Sequence, residues 1–143
     1  MLKGIKIRKA TNDDLSALEK VGDQLFDYPI KRNRAIEFLN DPRHHLVLAF
    51  HVDNIVGMAS GFHHVHPDKD PALFIDEVGV LEGFQGKGIG SGLVHYLCEH
   101  GKKLGCKMAW VLTGADNKAA RKTYSKAGGA ADKNSFILFE FET

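Results

Sequence analysis

One stretch constrains this chain more than any other: Val78-Gly79-Val80-Leu81-Glu82-Gly83-Phe84-Gln85-Gly86-Lys87-Gly88-Ile89-Gly90-Ser91-Gly92-Leu93. An apolar strand runs into a glycine-dense turn, and the turn opens directly into an amphipathic helix. Gly86, Gly88 and Gly90 lack Cβ atoms, so successive backbone N–H groups can face one small concavity. The helix adds its own unpaired N–H groups and the positive end of its dipole. Such a turn holds a phosphate or pyrophosphate through main chain alone.

Spacing sorts the phosphate loops. The dinucleotide fingerprint needs glycine at the first, third and sixth positions; counted from Gly86 the sixth position is Ser91, and from Gly88 it is Leu93. A Walker A loop needs Gly-Lys followed by Ser or Thr, and no Gly-Lys here has that neighbour. The pattern Gln/Arg-x-x-Gly-x-Gly/Ala does fit, as Gln85-Gly86-Lys87-Gly88-Ile89-Gly90, with Val78 and Val80 ahead of it. In this the chain closely resembles the GNAT N-acetyltransferase superfamily, whose loop of this form binds acetyl-CoA.

Length and composition agree with a single domain over residues 1–143 that can bury a substantial core. The net charge of +1 gives no general attraction to nucleic acid or to acidic lipid. No apolar run approaches membrane-spanning length, and the N-terminus shows no signal-peptide core. Cys98 and Cys106 lack redox or metal spacing and read as small apolar packers, so a reducing cytoplasm is expected.

Periodicity predicts strands over Ile5–Lys9, Leu46–His51, Ile55–Val65, Ala72–Leu81, Met108–Leu112 and Ser135–Glu142. A capping-box start at Thr11-Asn12-Asp13-Asp14 opens a helix whose apolar face runs from Leu15 to Leu25. A second short helix carries Ala35, Ile36, Phe38 and Leu39. The long helix after the glycine loop turns Ile89, Leu93, Val94, Leu97, Cys98 and Leu104 inward and stops at Gly105, and a last helix spans Asn117–Ala127. The order is β-α-α-β-β-β-α-β-α-β, an α/β (α+β) layout that the GNAT family shares. The resemblance implies a mixed sheet of about six to seven strands flanked by about four helices.

Acetyl transfer from a thioester to an amine needs the diphosphate held, the pantetheine aligned, the amine made neutral and the thiolate protonated. For the first, the main chain of Gln85, Gly86, Lys87, Gly88, Ile89, Gly90 and Ser91 is the candidate. For the second, the resemblance implies Val78, Gly79 and Val80, because in that family the sheet splays beside this strand and its main chain pairs with pantetheine amides. For the base, Asp76 and Glu77 are adjacent carboxylates in an apolar strand, so at least one is paired, hydrated or facing a cavity. GNAT-type aminoglycoside acetyltransferases carry an acid at the position of Glu77, which makes Glu77 the base; a salt bridge is the structural alternative, and Asp76 reads as a substrate anchor or structural partner.

For the acid, Asn117-Lys118-Ala119-Ala120-Arg121-Lys122-Thr123-Tyr124 matches the family's Asn-x-x-Ala-x-x-x-Tyr. It implies Asn117 on the pantetheine arm, Ala120 as a small neighbour of the cofactor and Tyr124 as the phenol that protonates the leaving thiolate. The bland readings are a helix cap for Asn117 and a core aromatic for Tyr124. His44-His45 and His63-His64-x-His66 lack zinc-site spacing, so no metal is expected, and these histidines read as substrate-lining or surface groups.

In this family the acceptor groove forms from the first two helices and the loop before the central strand. Here Asp23, Asp27, Asp68, Asp70 and the Asp76-Glu77 pair would give an acidic groove for a small cationic amine, with Asp27, Tyr28, Asp76 and Glu77 as the candidate substrate contacts. Leu25-Phe26-Asp27 before Pro29, and the Pro-flanked loop into Leu73-Phe74-Ile75-Asp76-Glu77-Val78, resemble the subgroup that acetylates the 3-amino group of aminoglycosides, which points to antibiotic resistance. Gln85-Gly86 departs from that subgroup's two arginines. The alternatives are a GNAT enzyme for a polyamine, amino acid or protein N-terminus, and a non-catalytic CoA-binding module. The apolar final strand offers an edge for a homodimer.

Overall fold

Alternation along Leu46-Val47-Leu48-Ala49-Phe50 sorts the interior into two layers. In the computed structural model, which describes residues 3–143, Val47 and Ala49 join a core with Leu73, Ile75, Leu93 and Leu97. Leu46, Leu48 and Phe50 join a second core with Leu18, Val21, Leu25 and Met58. A sheet apolar on both faces must be covered on both.

The elements are β1 (Ile5–Lys9), α1 (Leu15–Val21), α2 (Arg32–Asn40), β2 (His44–His51), β3 (Asn54–His64), β4 (Ala72–Val80), α3 (Ile89–Lys103), β5 (Met108–Val111) and α4 (Lys118–Lys126). The five strands follow in the order β1-β2-β3-β4-β5. The first four are antiparallel neighbours, and β5 lies parallel to β4 after the α3 crossover. α1 packs on one face and α3 on the other.

Local chemistry explains the ends of these helices. The Thr11 N–H donates to Asp14 Oδ2 at 2.7 Å, and Asp14 also accepts two bonds from the Arg8 guanidinium, at 2.7 and 2.8 Å. That bidentate pair joins β1 to the start of α1 and holds the Asp14 carboxyl below its ordinary range. α3 ends in a Schellman motif: Cys106 N–H reaches the Gly101 carbonyl at 3.0 Å and Gly105 N–H reaches Lys102 at 3.1 Å, with Gly105 at φ +91°.

The structure corrects four expectations. The sheet has five strands, fewer than expected, because Ser135–Glu142 forms no strand; the segment lies exposed and outside the sheet. α1 ends at Val21, where Gly22 turns the chain at φ +41°, so Leu25 reaches the core from a following 3-10 turn and bend. Leu104 caps α3 from a half-exposed position and is not inward. β5 stops at Val111, one residue short of the expected Leu112, and it is an edge strand with Met108 and Trp110 exposed.

Candidate active site

After β4 the chain makes a 3-10 turn at Glu82–Phe84 and enters the glycine loop. Gly86 and Gly88 adopt φ of +74° and +82°, the left-handed region that strains other residues. Gly88 is the N-cap of α3, and no side chain caps it. Among the described residues, the main-chain N–H groups of residues 86–91 have no hydrogen-bond partner; helical bonding starts with Gly92 N–H on the Gly88 carbonyl at 3.1 Å. The Ile89 side chain is buried in the core, and the Ser91 hydroxyl donates to the Thr123 carbonyl at 3.2 Å. Both therefore have only their main chain to offer the loop. Lys87 is exposed.

Beside the loop, the sheet opens. β5 pairs with β4 only along Ala72–Ile75, whereas β4 continues against β3 as far as Val80. Residues 76–80, including Val78, Gly79 and Val80, therefore have no strand on their β5 side. The Gln85 side chain donates to the Val80 carbonyl at 3.0 Å, so this residue ties the loop to the open strand.

Glu77 owes its direction to a β-bulge. Ser60 pairs with Glu77 and Gly61 with Ile75, which leaves Asp76 as one extra residue in β4. An extra residue reverses the facing of all that follow. Leu73 and Ile75 lie in the α3-side core, and beyond the bulge Val78 and Val80 pack against that same core. Glu77 and Gly79 accordingly face the α1 side, where a Cβ on Gly79 would stand 3.0 Å from the Leu25 carbonyl oxygen. The alternation of an unbroken strand fails here.

The Glu77 carboxyl is half-buried, and its pKa is raised, first by desolvation and then by the negative charges of Asp27 and Asp76. Three carboxylates thus share one locality, and among the described residues none of them is in an ion pair. Tyr28, beside Asp27, is exposed. A locality of this sign attracts a cation.

α4 is capped by Asn117, whose side-chain oxygen accepts the Ala120 N–H at 3.1 Å. Asn117 is a helix cap, with its amide donor left over. Ala120 is partly buried. Tyr124 packs against the α3-side core, and burial raises its phenol pKa. Gly129 N–H on the Tyr124 carbonyl, at 2.9 Å, closes the helix. The start of α3 presses on this helix, since a Cβ on Gly90 would lie 3.2 Å from Thr123 Cγ2.

A family model described as the acetyltransferase (GNAT) family matches residues 8–129. The chain belongs to the GNAT acetyltransferase family. An uncharacterized N-acetyltransferase of Mycobacterium tuberculosis is 28% identical over 123 residues, covering 78% of this chain and 76% of the relative. An aminoglycoside acetyltransferase from an uncultured soil metagenomic sample, solved with sisomicin, superposes with a TM-score of 0.84 at 16% identity, covering 98% of this chain and 97% of that one. The aminoglycoside acetyltransferase AAC(6′)-Iy, bound to a bisubstrate analogue of CoA and acetylneamine, gives 0.80 at 18% identity over 97% and 99%. These structural likenesses establish the fold.

Within this acetyltransferase, sequence reasoning missed one polar cluster. His45 Nε2 lies 2.8 Å from His63 Nδ1, and His100 Nε2 lies 3.2 Å from His45 Nδ1, so a chain of imidazoles joins β2, β3 and α3. His45 and His63 had been grouped with His44, His64 and His66 by sequence proximity; His100 could be found only from the pairing of α3 with the sheet. Among the described residues no group of three or more His, Cys, Asp or Glu has metal-holding geometry. No described helix is long and apolar enough to cross a membrane.

Proposed function

We propose that this GNAT acetyltransferase moves the acetyl group of acetyl-CoA to a primary amine of a small, cationic, aminoglycoside-like acceptor, with Glu77 as the base and Tyr124 as the acid. The observation that carries the reading is the bulge at Asp76, which turns Glu77 out of the α3-side core and into a locality shared with Asp27 and Asp76. Acetyl-CoA supplies the activated thioester. The unpartnered N–H groups of residues 86–91 are suited to its diphosphate, and the open side of residues 78–80 to its amide-bearing arm.

The base must take a proton from an ammonium near neutral pH. A carboxylate with a raised pKa, held beside two further negative charges, is matched to that work. The acid must still hold its proton at neutral pH, as a phenol does, and burial raises the Tyr124 pKa further in that direction. Support for the acceptor class comes from the shared negative charge of Asp27, Asp76 and Glu77 and from the aminoglycoside ligands of similarly folded acetyltransferases.

Thiol release from acetyl-CoA, followed across aminoglycosides, polyamines, amino acids and N-terminal peptides, tests the reading. The expected result is the highest kcat/KM with aminoglycosides. Turnover confined to another amine would reassign the acceptor, and CoA binding without turnover would make the chain a binding module. Mass-spectrometric mapping of the product separates 3-amino from 6′-amino transfer.

A further inference from the structure

Aromatic rings run side by side across the sheet on four neighbouring strands. His44, Phe62, Phe74 and Trp110 are direct cross-strand partners on β2, β3, β4 and β5. Their ring centroids step along the row at 6.2, 5.2 and 4.4 Å. Phe38 of α2 closes the outer end, 5.1 Å from His44, and His44 is held by Asp41 at 3.2 Å. Large rings are ordinarily well buried. Among the described residues, however, Phe62, Phe74 and Trp110 belong to neither core, and Trp110 is 47% exposed.

The row faces the same side of the sheet as Glu77. Leu73, Ile75, Ala109 and Val111 all pack on the α3-side core, so Phe74 and Trp110, between them, point to the α1 side. The bulge at Asp76 gives Glu77 that same direction. On β3 the partners of Phe74 and Glu77 are Phe62 and Ser60, which places the row about 7 Å along the strands from the carboxylate. α1 and α2 pack over β3 and β2 on this side. The Trp110 end of the row is left open to solvent.

We propose that Phe62, Phe74 and Trp110 form a platform on which the ring body of the acceptor lies flat while its amine meets Glu77. The platform presupposes the reaction proposed at Glu77 and adds what selects its acceptor. Charge complementarity names the occupant. Aromatic faces are negative and attract cations, and the neighbouring Asp27, Asp76 and Glu77 have no ion-pair partner among the described residues. Both features favour an organic cation. Flatness supplies the second requirement. A saturated ring bearing ammonium groups, as in an amino sugar, offers a broad C–H face to the aromatic row and positive charge at its rim. A linear polyamine offers the charge without the face. Such a contact is the same in the ground and transition states, so it sets affinity for the acceptor and leaves the chemical step alone.

Trp110 is the single tryptophan of the chain, so its emission reports on the platform directly. With CoA saturating, the full-length protein is titrated with neamine, with tyramine, and with spermine, which matches neamine in amino groups but is linear. Neamine is expected to change the emission saturably and spermine to leave it unaltered. Trp110→Leu should raise KM for neamine roughly three- to tenfold, with kcat changed by less than about twofold, and Trp110→Phe should recover most of the loss. Emission indifferent to all three amines overturns the platform, as does an equal change with spermine. Neamine turnover with the same KM in Trp110→Leu overturns the platform and leaves the proposed acceptor class standing. Turnover of tyramine and not neamine, with KM raised in Trp110→Leu, supports the platform and removes that acceptor class. Turnover of spermine alone overturns both. If Trp110→Leu fails to fold, the emission of the native chain decides.

Discussion

A Cβ placed on Gly61 would stand 2.5 Å from the carbonyl oxygen of Phe74, a separation that real Cβ atoms do not show. Gly61 faces the bulge that sets the direction of Glu77, and the missing methyl group is what lets β3 approach the extra residue of β4. Gly61→Ala must push the strands apart or remove the bulge. A backbone shift in a packed region costs about 1–3 kcal/mol. We expect a lower Tm, a fall in kcat of about tenfold or more, since small displacements of a reacting group are costly, and a CoA affinity changed far less. Unaltered turnover would separate the bulge from the chemistry.

Glu77→Gln tests the base and its structural alternative together. A general base contributes about 10²–10⁴-fold, so kcat/KM should fall by that order while acetyl-CoA affinity holds. In the native enzyme kcat/KM should rise with pH along a limb above the ordinary glutamate range, because the Glu77 pKa is raised; the Gln variant should lose that limb. Stability discriminates further. A raised carboxyl pKa means the folded state holds the proton longer than the unfolded one, so this group's contribution falls as pH rises through the shifted pKa. Gln should therefore raise Tm at neutral pH. A lowered Tm would mean that Glu77 had been in a stabilising ion pair.

Tyr124→Phe keeps the ring that packs on the α3-side core and removes only the hydroxyl. A loss confined to the chemical step lowers kcat with little change in acetyl-CoA affinity, and about 10²- to 10⁴-fold is expected for a lost proton donor. Single-turnover kinetics gives the readout, and equal loss of binding and turnover would assign the hydroxyl to cofactor contact.

Much of this site was legible in the chain. The glycine loop was readable because its requirement is local: Gly86 and Gly88 need left-handed φ, and few other residues supply it. Likewise the capping residues Asp14 and Asn117 act within four residues of themselves. The bulge was not readable, because nothing in Phe74-Ile75-Asp76-Glu77-Val78 marks Asp76 as supernumerary; the permissive residue, Gly61, lies on a different strand. The imidazole chain escaped for the same reason, since His45, His63 and His100 meet only through tertiary packing. The closing strand was misread because a β pattern reports what a segment can pair as, and Ser135–Glu142 is paired with no strand of the sheet.

Gly88→Ala tests the anion nest. At φ +82° an alanine is strained by roughly 1–2 kcal/mol, and relief would rotate the peptide units whose N–H groups face the loop. Calorimetry should show weaker binding of CoA, about tenfold, and a similar loss for dephospho-CoA, which carries the same diphosphate. Undiminished affinity in the alanine variant would move the diphosphate elsewhere.

Acid stability should report on His45. This imidazole is 6% exposed on β2, with His63 of β3 and His100 of α3 at its two nitrogens and Lys9 and His44 also acting on it. Burial first, then these like charges, lower its pKa from 6.5 to about 4. His100 is lowered in the same way, by burial and by Lys9, Lys103 and His63. Because the unfolded chain takes up the proton first, stability from His45 is fully present above pH 6.5 and is lost as pH falls toward about 4. The Tm of the native protein should drop across that interval, and His45→Leu, which fills the buried site without titrating, should flatten the drop. Parallel curves for the two proteins would show that the imidazole chain carries no proton-linked stability.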